Sequence, residues 1–224
     1  MESPFAAWMD RFALEHPDST PAKDTPDALL TTLTDKGYAH EAQIEAEFEA
    51  QGYHVTRISG AANEEKLAQT LAAMREGADV ITQARLELAP LAGYADFLVK
   101  VPGASQLGDY HYEVWDAKLA NSAKPTFVIQ LCCYAEMLNA MQGRLPQTIT
   151  LALGSGERQA LRTADFYAYY QSLKNTYLNE QNNFDPDQPP DPADSKSWGD
   201  WSTYAEQLLL SRDHLFQVAN ISRG

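Results

Sequence analysis

Cysteine is almost absent: Cys132 and Cys133, which are adjacent, are the only two in 224 residues. Neighbouring thiols exclude a multi-disulfide framework and leave no four-cysteine zinc or iron–sulfur site within the chain. A reducing, cytoplasmic compartment is expected. Positive charge is also scarce, with 17 Lys+Arg against 31 Asp+Glu and a net charge of −14. Such a molecule repels polyanions as a whole, which excludes an extended basic coat and restricts any contact with nucleic acid to a local or metal-assisted one. No apolar run approaches the roughly 18–20 residues of a membrane span. Met1-Glu2-Ser3-Pro4 has neither the basic nor the apolar region of a secretion signal. No membrane partner is expected. The chain does have 44% apolar residues, enough for the core of one large domain with or without a tail.

Residues 1–27 carry Phe5, Trp8, Met9, Phe12 and Leu14 at near-helical spacing, then Pro17, Pro21 and Pro26. This is the pattern of a packed N-terminal arm. A core is expected over 28–183. Leu29, Leu30, Leu33, Ala39, Ile44 and Phe48 predict a helix from Ala28 to Gln51, interrupted or kinked near Gly37 and closed by Gly52. A short strand at 53–58, a helix capped by Asn63 and stopped by Gly77, and strands at 78–86, 94–101 and 109–119 follow. Three strands in succession suggest an antiparallel meander. Pro125 and Gly143 bracket the strongest helix signal, Thr148–Leu153 reads as a core strand, and Thr163 is placed to cap a helix reaching Asn182. Gly154-Ser155-Gly156 lacks the lysine and the length of a phosphate loop and reads as a turn. Residues 184–224 are expected to form a linker rich in proline and aspartate and then a helical tail containing Trp198, Trp201 and Leu208–Leu210. The pattern as a whole is α/β, a sheet with helices on its faces.

The residues that carry chemistry cluster around Tyr112-Glu113-Val114-Trp115-Asp116-Ala117-Lys118. In a strand, Asp116 and Lys118 share a face, so a carboxylate and an ammonium lie side by side. If the preceding strand pairs with this one, Asp96 approaches Asp116. Two such carboxylates repel unless one is protonated or a divalent cation lies between them. A surface ion pair and a strand-end aspartate would leave the same spacing, and the spacing alone does not separate the readings. Gln130 and Tyr134 stand one helical turn apart and would present two polar tips on one stripe. His40 and Glu41 add an imidazole and a carboxylate on the first long helix. Cys132 and Cys133 have no histidine in register and are read as packing residues, and His54, His111 and His214 as isolated.

The order Gly37-Tyr38-Ala39-His40-Glu41, Ile81-Thr82-Gln83-Ala84, Gly93-Tyr94-Ala95-Asp96-Phe97-Leu98, Tyr112 to Leu119 and Gln130-Leu131-Cys132-Cys133-Tyr134 resembles RecB-type nuclease domains of the PD-(D/E)XK superfamily. The resemblance is to the bacterial RecB-like nuclease domains found at the N-terminus of longer chains. It implies a restriction-endonuclease-like core, a central mixed sheet flanked by helices, and metal-dependent cleavage of DNA in repair, recombination or processing. A catalytically inactive scaffold of the same fold, binding nucleic acid or a partner, is the alternative. By position, Asp96 and Asp116 would bind Mg²⁺ or Mn²⁺ with the Ala117 carbonyl, and His40 would be the further ligand. Lys118 would be the catalytic lysine, and Gln130 and Tyr134 would lie near the DNA. Glu41 and Glu113 remain candidates for supporting groups, with a structural role open for each. Relatives often carry a cysteine cluster after the core; Asp194 to Tyr204 has none, so no iron–sulfur cluster is expected, with Trp198 and Trp201 packing in its place. In relatives the segment at Ser211–Ile221 leads into helicase or other domains of a longer chain.

Overall fold

The computed structural model describes residues 3–25 and 28–212, the side chains of 28–31 excepted. His214 and the segment running to Ile221 lie outside the described residues. The fold is α/β, and by internal contacts the chain groups into two units, one of residues 29–172 and one of 1–28 with 173–224.

In the larger unit, helix α2 (Ala28–Ala50) leads to strand β1 (Val55–Arg57), helix α3 (Asn63–Glu76) and strands β2 (Val80–Leu88), β3 (Leu91–Ser105) and β4 (Gly108–Lys118). Helix α4 (Pro125–Gln142), strands β5 (Thr148–Leu153) and β6 (Arg158–Arg162) and the start of α5 (Ala164–Asn182) follow. The six strands are ordered as in sequence; β1/β2 and β4/β5 are parallel and the other pairs antiparallel. Each parallel pair is joined through a helix, as parallel strands require.

Helices α3 and α4 cover one face of the sheet. Met74, Leu131, Ala135 and Leu138 pack there on Ile81, Leu98, Val114, Ile149 and Leu151. On the other face Ile44 and Phe48 of α2 pack on Val80, Phe97, Val99 and Ala152. Pro125 opens α4, and Gly143, at φ +67°, ends it in the left-handed conformation that suits glycine. Gln142 fastens the end of α4 to β4. Its Oε1 accepts from the Tyr112 N–H at 2.8 Å, and its Nε2 donates to the Tyr112 carbonyl at 3.0 Å. The strand that carries Asp116 and Lys118 is thereby fastened at Tyr112.

Four expectations are revised. Helix α2 runs unbroken through Gly37, beside which a Cβ would meet nothing within 4 Å. Asn63 is the first residue of α3 rather than its cap, and its Oδ1 accepts from the Tyr94 hydroxyl at 2.6 Å instead. The hydroxyl of Thr163 precedes α5 without making a capping bond. Strand β6, not expected at all, returns from the Gly154–Gly156 turn as an edge.

In the smaller unit, α1 (Pro4–Glu15), the end of α5 and α6 (Ser202–Ser211) are the principal elements. Phe5, Met9, Trp201 and Ala205 form its core. Burying side chains such as Phe5 and Met9 contributes about 1.5–3 kcal/mol each. Trp201, 1% exposed, donates its Nε1 proton to Asp10 at 3.1 Å, and Trp198 donates to the Pro192 carbonyl at 2.8 Å. Among the described residues no helix is long and apolar enough to cross a membrane.

Candidate active site

Five elements of the larger unit bring the chemistry-bearing residues together: β4 with Asp116 and Lys118, β3 with Asp96, β2 with Gln83, α2 with His40 and Glu41, and α4 with Gln130 and Tyr134. The opening they share comes from a matched kink in β2 and β3. The β2/β3 ladder pairs Thr82 with Phe97 and Ala84 with Ala95 but skips Gln83 and Asp96. Residues three apart in a regular strand face opposite sides. Here Ile81 and Ala84 share the α4-side core, as do Ala95 and Leu98. Each strand has lost one step of alternation at the same place. Gln83 absorbs it with φ +55°, a left-handed conformation that costs a non-glycine residue roughly 1–3 kcal/mol.

The β3/β4 ladder ends at Phe97 and Trp115, one position before Asp96 and Asp116. Where the strands part, Asp96 Oδ2 accepts from the Ala117 N–H at 2.8 Å, a side chain standing in for the missing ladder partner. Burial first, and the charge of Asp116 second, raise Asp96 to about 8. Asp116 is also raised, because its burial outweighs the attraction of Lys118. It is 1% exposed, and its Oδ2 lies 2.7 Å from Lys118 Nζ. Lys118 is therefore the ion-pair partner of this buried oxygen. Glu41 is raised by its own burial and then by Asp116, and it accepts from Gln83 Nε2 at 2.8 Å. The strained residue of β2 therefore holds a third acid toward the other two.

Lys118 connects the acids to α4. Its Nζ donates to Gln130 Oε1 at 3.1 Å, and Gln130 Nε2 donates to the Tyr134 hydroxyl at 2.9 Å. The stripe on α4 thus fixes the amine beside Asp116. Gly93 leaves room for this arrangement, since a Cβ there would come within 2.7 Å of the buried Tyr134 ring. Gly93→Ala is expected to cost about 1–3 kcal/mol in chemical denaturation, as overpacked positions do. A variant as stable as the parent would show that the ring has space to move.

Asp96, Asp116, Lys118, Gln130 and Tyr134 meet as the sequence suggests, with Ala117 between the acid and the amine. His40 is close but engaged: its Nε2 lies 3.0 Å from the Ala152 carbonyl, so Nε2 carries the proton and Nδ1 is the nitrogen with the lone pair. Glu113 has a structural task, accepting from the Thr148 N–H at 3.0 Å. Cys132 is buried, its thiol pushed up to about 11, as a packing residue would be. Lys100 is paired with Asp79 and Arg85 with Glu87, and Arg144 donates to the Ala104 carbonyl. Gln83 was not legible as a site residue, and Glu41 was legible only as one of two open roles.

Among the described residues no three His, Cys, Asp or Glu side chains form a ready-made metal shell. The donor set nevertheless fits a hard divalent cation in its chemistry: oxygen ligands from two neighbouring acids that raise each other's proton affinity, one of them buried. No protein-family model matches the chain, and no curated protein matches it.

Proposed function

We propose that this chain is a divalent-metal-dependent nuclease hydrolysing phosphodiester bonds in DNA, with a restriction-endonuclease-like core formed by β2, β3, β4, α4 and β5. The observation that carries the reading is the pairing of Asp96 with the buried Asp116, with Lys118 Nζ 2.7 Å from Asp116. The meander followed by a parallel return through α4 supports the fold. A surface ion pair would be solvated, whereas this one lies where two strands are forced apart.

Asp96 and Asp116 would hold Mg²⁺ or Mn²⁺, with the Ala117 carbonyl and His40 through its Nδ1 as further donors. Such an ion supplies charge neutralisation at the phosphoryl oxygens and a more acidic water. Lys118 has three N–H donors. Asp116 and Gln130 engage two of them, and the third is directed to the water or to a phosphoryl oxygen. In the reaction the water oxygen bonds to phosphorus while the bond from phosphorus to one sugar oxygen breaks. The departing oxygen keeps that electron pair and takes a proton from solvent, and the water proton is released to solvent. Glu41, held by Gln83, keeps Asp116 oriented through its charge. Gln130 and Tyr134 position Lys118 and line the approach of the strand.

Labelled single- and double-stranded DNA incubated with Mn²⁺ or Mg²⁺ is expected to be cut by the wild type and spared by Asp116→Ala, a loss of at least about a hundredfold. Binding without metal-dependent cleavage would point to the non-catalytic scaffold, and cleavage retained in Asp116→Ala would remove the site.

A further inference from the structure

We infer that Lys124, at the start of α4, holds a second backbone phosphate, the neighbour of the one presented to the acids, so that the substrate is an internal linkage of a strand rather than an isolated phosphodiester. The inference deepens the nuclease reading and rests on it for the reaction, while the binding of the second phosphate is measured apart from it.

Lys118 and Lys124 share one ring. Phe127, in the first turn of α4, has Lys118 Nζ 5.2 Å and Lys124 Nζ 5.7 Å from its centroid. Both distances are inside the roughly 6 Å over which an aromatic face attracts an ammonium ion. Phe127 is half-buried against the α4-side core, and it begins the stripe that continues through Gln130 and Tyr134 at helical spacing. The ring therefore stands on the same face of the sheet as Asp116 and Lys118, and the amine it holds is the one 2.7 Å from Asp116 Oδ2.

The two amines differ in what is left for them to do. Lys118 is drawn inward onto Asp116 and Gln130, its side chain 21% exposed. Lys124 is exposed and, among the described residues, is paired with no acid. With Lys118 serving the reacting phosphoryl group, a free ammonium ion at the same ring is placed for the next phosphate along the strand. A lysine takes that phosphate as a point charge and does not read the base.

The charge of this stretch is opposite to that of the molecule. From Ala117 to Gly156 the sequence holds Lys118, Lys124 and Arg144 but a single acid, Glu136, in a chain whose net charge is −14. Glu136 is turned to α5, where it accepts from the Tyr170 hydroxyl at 2.6 Å and from Gln171 Nε2 at 2.9 Å. No acid lies in the first turn of α4. A polyanion that the molecule as a whole repels is met here by two ammonium groups.

Two measurements on the full chain test the subsite. In EDTA, fluorescein-labelled dodecathymidylate is titrated by anisotropy between about 50 and 200 mM salt. Lys124→Gln, a change at an exposed position, is expected to reduce the slope of log affinity against log salt by about 0.7, the share of one phosphate on a single strand. Lys124→Arg should keep the slope. With Mn²⁺, the thymidine trinucleotide TpTpT, which has two phosphates, is expected to be cut with a kcat/KM about tenfold above that of TpT, which has one, as a single hydrogen bond to a charged group supplies. Lys124→Gln should bring the two values together. A wild type that fails to bind the strand, a Lys124→Gln slope equal to that of wild type, or a TpTpT advantage that survives Lys124→Gln overturns the subsite. A slope that depends on Lys124 in a chain that cuts neither TpTpT nor dodecathymidylate with Mn²⁺ leaves the phosphate contact standing and overturns the hydrolase.

Discussion

Lys118→Met is expected to lower the rate of DNA cleavage by about 10²–10⁴-fold, the range seen when a positioned proton-transfer or charge-stabilising group is lost, while Mn²⁺ binding is retained or tightened. The two halves of this prediction come from one geometry. Lys118 Nζ is 2.7 Å from Oδ2 of the buried Asp116. Methionine keeps much of the length and apolar stem and removes the charge. For Mn²⁺, loss of a competing positive charge beside the carboxylates is favourable. For the developing charge on a phosphoryl group, loss of the same charge is costly. Isothermal titration with Mn²⁺ and a single-turnover cleavage assay separate these effects. A fall in Mn²⁺ affinity that matches the fall in rate would make Lys118 a structural neutraliser of Asp116 and nothing more. Gln130→Leu, which leaves the amine in place but removes its 3.1 Å acceptor, should fall between the two, losing about tenfold, the worth of one ordinary charge-assisted hydrogen bond.

Much of this site is written in local patterns. The meander shows in alternation, the α4 helix in its bracketing Pro125 and Gly143, and the pairing of Asp116 with Lys118 in a spacing of two along a strand. Gln130 and Tyr134 share a stripe because their spacing is four on a helix. What could not be read depends on contacts distant in sequence. Nothing about glutamine announces a left-handed backbone within a strand, and Gln83 adopts one where the β2/β3 ladder skips it and the facing Asp96. Glu41 became an acid of the site through that glutamine, 42 positions away. The position of His40 on its helix was legible, but its hydrogen bond to the Ala152 carbonyl, 112 positions on, was not. Strand β6, Arg158-Gln159-Ala160-Leu161-Arg162, is a short polar edge with no apolar run, and edge strands leave weak sequence signals. Gly37 looked like a helix breaker. Its cost of about 1 kcal/mol is instead tolerated in a helix of 23 residues whose Ile44 and Phe48 are anchored on the sheet.

Asp96→Asn should make the metal-free protein more stable at pH 8 and abolish its stabilisation by Mn²⁺. Asp96 is raised from 3.8 to about 8, chiefly by burial and then by Asp116. A raised carboxyl binds more protons folded than unfolded between those values. Its contribution to stability is therefore complete below pH 3.8 and is lost as pH rises through about 8. Glu41 and Asp116 are shifted in the same direction and add to the loss. In EDTA the wild type should weaken progressively from pH 5 to pH 9. Asparagine stays neutral throughout, and its oxygen can still accept from the Ala117 N–H. The gain at pH 8 should be on the order of 2–4 kcal/mol, or roughly 5–15 °C in Tm for a chain of this size. Saturating Mn²⁺ should close most of the gap, because an ion at about a hundred times its Kd stabilises the wild type by about 2.7 kcal/mol, whereas the variant has lost a carboxylate of the site. Differential scanning calorimetry at pH 5 and pH 8, with and without Mn²⁺, reads all four values. A wild type whose metal-free Tm is flat between those pH values would mean that the carboxylates are already solvated, and the buried acid pair could not then be the cation's seat.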